Sequence, residues 1–97
     1  MKLRFQRRAL QQIDRALSHI ATQSPQGAAK VEARLTALIA VVRDHPYVGV
    51  RTSLPGVRRL FLKPYPYHID YFVGDNEIVV QRFRHAARKP LSGVDTP

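Results

Sequence analysis

The stretch VVQRFRHAARKP, residues 79–90, opens with two valines and holds Phe83, yet Arg82, Arg84, His85, Arg88 and Lys89 crowd its far end. A histidine among guanidinium groups can do two kinds of chemistry. Its imidazole can take or give a proton near neutral pH, and the arginines can clamp an anion through paired N–H donors. Two more stretches share the cationic bias: residues 1–8 with Lys2, Arg4, Arg7 and Arg8, and residues 51–63 with Arg51, Arg58, Arg59 and Lys63. None of the seven carboxylates lies in these three stretches, so the net charge of +9 is segregated rather than spread. Segregation of this kind favours an anionic partner: nucleic acid, phosphates or an acidic protein surface. The competing expectation is a solvated basic surface with no ligand.

Other chemistries find little support. The chain has no cysteine, so disulfides and thiolate metal sites are excluded. His19 and His45 stand at no metal-ligand spacing, and Ser53 lacks a nucleophile-elbow context. Neither a metal nor a cofactor is expected. No apolar segment follows the basic amino terminus, and the longest apolar run, ALIAVV at 37–42, is far short of the ~20 residues that span a bilayer. These features predict a cytoplasmic protein with no membrane partner, built as one domain over residues 1–90 with a tail at 91–97.

The elements that must position the basic residues are legible from periodicity. KLRFQ, residues 2–6, alternates polar with apolar and predicts a first strand. Leu10, Ile13, Leu17 and Ile20 then step by three and four, the stripe of a helix running to about Gln23. Ser24 and Pro25 predict an N-cap and first turn for a second helix, with Ala28, Val31, Leu35, Leu38 and Val42 on its buried face. That helix must stop before His45-Pro46, because proline pushes the preceding residue out of the helical region. Residues 46–56 predict a loop, and 57–63, 67–73 and 77–83 three β-rich runs joined by PYP and a tight GDN turn. The expected fold is α+β, ordered β-α-α-β-β-β. A helical hairpin would pack on one face of a small, mainly antiparallel four-stranded sheet.

Strand alternation predicts what each sheet face carries. Tyr67, Ile69, Tyr71 and Val73 share one face, and His68, Asp70 and Phe72 the other. In the last strand Val79, Gln81 and Phe83 would oppose Ile78, Val80, Arg82 and Arg84. Arg58 falls in phase with Leu60 and Leu62, and Arg59 with Phe61 and Lys63. On this reading Arg58 joins Arg82 or Arg84 near one end of the helix-free face as an anion site, unless Arg58 and Arg88 are spent on Asp70, Asp75 or Glu77. Beyond Phe83 nothing apolar larger than alanine occurs until Leu91, so the strand should pass from core to working surface at Phe83.

The element order, together with P-x-x-G at 46–49, G-V-R at 56–58, Y-x-I-x-Y at 67–71 and R-F-x-H-x-x-R at 82–88, resembles the RelE/ParE superfamily of type II toxins. The resemblance covers the chain from the first strand to about Pro90. It implies a small toxin held inactive by a cognate acidic antitoxin that wraps an extended segment around it. Its RelE-like branch cleaves mRNA on the ribosome, which needs a base at the 2′-hydroxyl, cations for the phosphorane and an acid for the leaving oxygen. Under that alternative His85 is the catalytic residue and Arg58, Arg82 and Arg84 hold phosphate, although the C-terminal tyrosine usual in that branch is missing. The ParE-like branch inhibits DNA gyrase and uses no catalytic residue. Its last-strand pattern R-V-x-H-x-x-R is matched at Arg82, Phe83, His85 and Arg88, with Arg84 and Ala86 where apolar and glycine residues are usual. The resemblance is closer to this branch. It implies that Arg58, Arg82, Arg84, His85 and Arg88 meet the target or another anion.

Overall fold

A computed structural model of the protein describes residues 1–86. Arg88 and the expected tail at 91–97 lie outside the described residues. The two helices fall where the sequence places them, α1 at Arg7–Gln23 and α2 at Pro25–Asp44. Ser24 lies between them as an N-cap: its Oγ accepts the Gly27 N–H at 2.9 Å, and Pro25 occupies the first turn, where no N–H is needed. At the other end of α2 the His45 N–H donates to the Val41 carbonyl at 2.7 Å before Pro46 turns the chain away. Val31, Leu35, Leu38 and Val42 are buried, as their spacing predicts. On α1, Ile13, Leu17 and Ile20 pack against the core as their spacing predicts, but Leu10 does not. Ala9 is the helix's fully buried residue and Leu10 is 52% exposed, because the methyl of Ala9 is small enough to let the helix lie close to the sheet.

The strands are β1 (Lys2–Phe5), β2 (Val50–Arg51), β3 (Val57–Phe61), β4 (Tyr67–Val73) and β5 (Glu77–His85). They form one sheet in the order β1-β5-β4-β3-β2, with β1 parallel to β5 and the other pairs antiparallel. The sheet thus has five strands, one more than expected. Two residues between prolines and glycines carry no alternation that could reveal β2, which exists because the turn through Gly56 returns the chain along β3. At Gly56 φ is +76°, and a Cβ would stand 2.6 Å from the Phe72 ring.

A bulge corrects the expected phase of β5. Tyr71 pairs with Val80 but Asp70 with Arg82, so Gln81 is an extra residue that inverts the alternation after it. Ile78, Val80 and Phe83 consequently all enter the core, beside Ile69 and Tyr71. Strict alternation would have placed Phe83 opposite the two aliphatics. Val79, Arg82 and Arg84 share the helix-free face instead. The expected transition at Phe83 is seen: Phe83 is buried, and Arg84 and His85 are exposed although the strand continues through them. Among the described residues, no helix is long and apolar enough to cross a membrane.

Candidate functional site

The helix-free face gathers Arg59 from β3, His68 and Asp70 from β4, and Arg82 and Arg84 from β5. Arg59 and Asp70 are directly opposed across the β3–β4 ladder and form a forked pair, Nε to Oδ1 at 2.7 Å and Nη2 to Oδ2 at 3.1 Å. The bond to Asp70 raises the Arg59 pKa, partly opposed by burial. Arg82, opposite Asp70 on the other side, is held differently. Burial first, then the cations of Arg8 and Arg84, push its pKa down, with only Asp70 pulling the other way. Among the described residues the ion pairs are Arg59–Asp70 and the exposed Arg4–Glu77, leaving Arg82 and Arg84 without a carboxylate of their own. Adjacent guanidinium groups without carboxylate partners can attract an anion.

His68 lies opposite Arg84 in the same face, only 7% exposed, with the Phe61 ring edge-on at 5.6 Å. Neither ring nitrogen has a hydrogen-bond partner among the described residues. Burial drives its pKa down to about 4; Asp70 opposes that shift, while Arg59 and Arg84 reinforce it. It is therefore neutral at physiological pH and adds no charge to the cluster.

Arg58 does not belong to this face, contrary to the expected site. The register that sets Arg59 opposite Asp70 sets Arg58 opposite Tyr71, on the helix side. There its Nη1 donates to the carbonyls of Tyr47 at 3.2 Å and Gly49 at 2.8 Å, and its guanidinium lies 5.1 Å from the centre of the Tyr47 ring. Arg58 is thus tied to the loop after α2, and Arg59 takes its place on the open face. Neither arginine pairs with Asp75 or Glu77; Glu77 is taken by Arg4.

His85 also faces the helix side, across the strand from Arg82 and Arg84, and packs edge-on against Tyr67 at 5.1 Å. Tyr67 in turn stacks on Phe83. Together with Gln12, Arg15, Ala16 and His19 from α1, these rings line a cleft of about 470 Å³ that Arg84 borders. His19 is remote from His85 in sequence, and nothing in the sequence pairs them. The parallel β1–β5 pairing and the α1–β5 packing bring both to one cleft. Gln12 fixes α1 there by accepting the Phe83 N–H at 2.8 Å. A second, mainly apolar groove of about 400 Å³ runs along the helical hairpin between Phe5, Leu10, Leu17, Leu35 and Ile39. Among the described residues no group of three or more His, Asp or Glu side chains could hold a metal ion.

Comparison with known proteins places this geometry. The chain is 29% identical over 85 residues to the Sinorhizobium fredii (strain NBRC 101917 / NGR234) protein named "Putative toxin Y4kP", covering 87% of this chain and 88% of that one. Its fold is similar to a chain of the chromosomal ParDE TA system from P. aeruginosa, with a TM-score of 0.79 and 24% identity over 88% of this chain and 95% of the other. Residues 3–90 match the family described as the ParE toxin of the type II toxin-antitoxin system parDE. The match runs from β1 through the basic stretch after β5, and the chain belongs to the ParE family of type II toxins.

Proposed function

We propose that this toxin inhibits DNA gyrase by binding, without covalent chemistry, and that a cognate acidic antitoxin neutralises it. The observation that carries the binding reading is the division of β5 after its bulge. Arg82 and Arg84 lie on the open face, while His85 and, on β3, Arg58 lie on the other. A nuclease would need its proton-transfer group within hydrogen-bond reach of a phosphodiester held by the cations. His85 is separated from Arg82 by the sheet itself. His68 does share their face, but it is buried and neutral, with its pKa near 4. His85 meets Arg84 only at the border of the cleft it shares with His19, so the open-face pair Arg82 and Arg84 has no charged acid–base group beside both, which suits recognition of an acidic surface.

The antitoxin reading is supported by two surfaces that an extended acidic segment could cover together. Carboxylates would meet Arg82 and Arg84, and apolar side chains would enter the groove between α1 and α2. An antitoxin wrapped over these surfaces would neutralise the toxin by keeping the target away.

Induced expression in cells, with RNA ends mapped genome-wide, separates the binding reading from cleavage. Growth should stop without new cleavage sites in ribosome-bound mRNA, His85→Ala should stay toxic, and co-expression of the adjacent antitoxin gene should restore growth. Cleavage sites that vanish in His85→Ala would establish the ribosome-dependent endonuclease instead.

A further inference from the structure

The described residues expose eight large hydrophobic side chains, and four of them, Tyr47, Val48, Val50 and Leu54, fall within one short segment after α2. Tyr47 is 65% exposed and Val50 59%, which is unusual for a segment the fold holds so firmly. The fully buried Tyr71 hydroxyl donates to the Pro46 carbonyl at 2.8 Å and accepts the Gly49 N–H at 2.9 Å. Arg58 clamps the carbonyls of Tyr47 and Gly49 and lies against the Tyr47 ring. Gly49 is required by this closeness, since a Cβ would stand 2.8 Å from the Tyr71 oxygen and 2.9 Å from the Arg59 carbonyl. The P-x-x-G, G-V-R and Y-x-I-x-Y motifs therefore converge on one task, fixing a projecting loop. Its outward side chains do nothing for the core.

We propose that the 46–54 loop is the surface by which the toxin grips its folded target protein, inserting Tyr47, Val50 and Leu54 into a recess bordered by acidic residues. Two observations, together with the antitoxin reading above, select this occupant. The cleft beside the loop, about 480 Å³, is lined by Tyr47, Leu54, Arg51 and Arg58 among others and by no carboxylate. No acidic residue occurs between Asp44 and Asp70, so a second copy of this +9 chain would bring like charges together. A wrapping, extended antitoxin segment is served by the open sheet face and the interhelical groove, whereas a pre-organised projection avoids ordering costs when it enters a recess that is already formed. Tyrosine and arginine at the centre of such a patch are the residue types that dominate binding energy.

The inference rests on the toxin reading above but not on the identity of the target. The test uses full-length Tyr47→Ala/Leu54→Ala and, separately, Arg51→Glu, all at exposed positions. Each is assayed for growth inhibition at matched expression, for affinity toward the purified antitoxin, and for gyrase supercoiling. Both variants should lose about 30-fold or more in toxicity, the scale of a lost hot spot, while antitoxin affinity stays within about threefold of the parent, the range of near-neutral contacts. Circular dichroism melts matching the parent show that the fold survives; should the double variant melt early, Arg51→Glu, which removes no packed side chain, decides alone. Retained toxicity overturns the proposal, and so does a parallel loss of antitoxin affinity, which would assign the loop to the antitoxin. If the parent stops growth yet leaves supercoiling untouched while the variants are harmless, the loop proposal stands and the gyrase reading falls. A parent chain that does not inhibit growth removes both.

Discussion

Replacing Tyr71 with phenylalanine removes one oxygen atom and tests how the loop after α2 is held. The ring is fully buried in the core and phenylalanine fills the same space, so no cavity forms around the carbons. What is lost is a hydroxyl that donates to Pro46 at 2.8 Å and accepts from Gly49 at 2.9 Å. Burial raises the pKa of this phenol, with the Gly49 bond and the Arg58 cation opposing, so it is a protonated donor throughout the working range. Each intramolecular hydrogen bond is worth about 0.5–1.5 kcal/mol net, and a buried donor left unpaired costs about 1–3 kcal/mol. Gly49 is itself buried, so its N–H has no ready access to water. The expected loss is about 2–3 kcal/mol, or a fall in Tm of roughly 8–24 °C at the ~4–8 °C per kcal/mol typical of a domain this size. Urea and thermal unfolding followed by circular dichroism measure it, and amide exchange at Gly49 should accelerate in the folded protein. A change below about 0.5 kcal/mol, the level of an ordinary surface substitution, would refute the claim that this hydroxyl holds the loop.

Three further outcomes follow from the open face and the core. Phe83→Ala should destabilise by about 3–5 kcal/mol, because Phe83 is 3% exposed and stacked on Tyr67; denaturant unfolding checks this. Arg82→Ala/Arg84→Ala should unfold within about 1 kcal/mol of the parent, since neither arginine holds an ion pair among the described residues, yet lose antitoxin affinity measured by calorimetry. His68 contributes a pH dependence whose sign is fixed. Its folded pKa of about 4 lies below the ordinary 6.5, so the unfolded chain binds the proton first. Stability should therefore fall as pH drops from about 6.5 to about 4, by up to roughly 3 kcal/mol. His68→Leu should flatten that slope in urea midpoints taken across the interval.

The element order apart from the two-residue β2, the helix limits and the passage from core to surface at Phe83 were legible because they rest on local signals. These are the Ser24-Pro25 cap, the His45-Pro46 stop and the absence of any apolar residue larger than alanine between Phe83 and Leu91. The parts that were not legible depend on strand pairing and packing between elements rather than on local signals. A β-bulge leaves no mark in period-two alternation, yet Gln81 alone inverts which residues of β5 meet the helices. The same dependence on register decided between Arg58 and Arg59. Alternation correctly set them on opposite faces, but only the Arg59–Asp70 pairing says which face is open. The joining of His19 and His85 in one cleft depends on α1 lying against β5, a tertiary contact that no spacing encodes. His68 and Asp70 did carry a signal in the sequence, since they share a face in β4 and a charged residue within such an apolar strand implies a partner across the ladder.

Inhibition of gyrase by binding alone is tested most directly with the purified protein. In an ATP-dependent supercoiling assay, the parent and His85→Ala should inhibit with similar potency, and added antitoxin should relieve both. Supercoiling that proceeds unhindered at a large molar excess of the parent chain would contradict it.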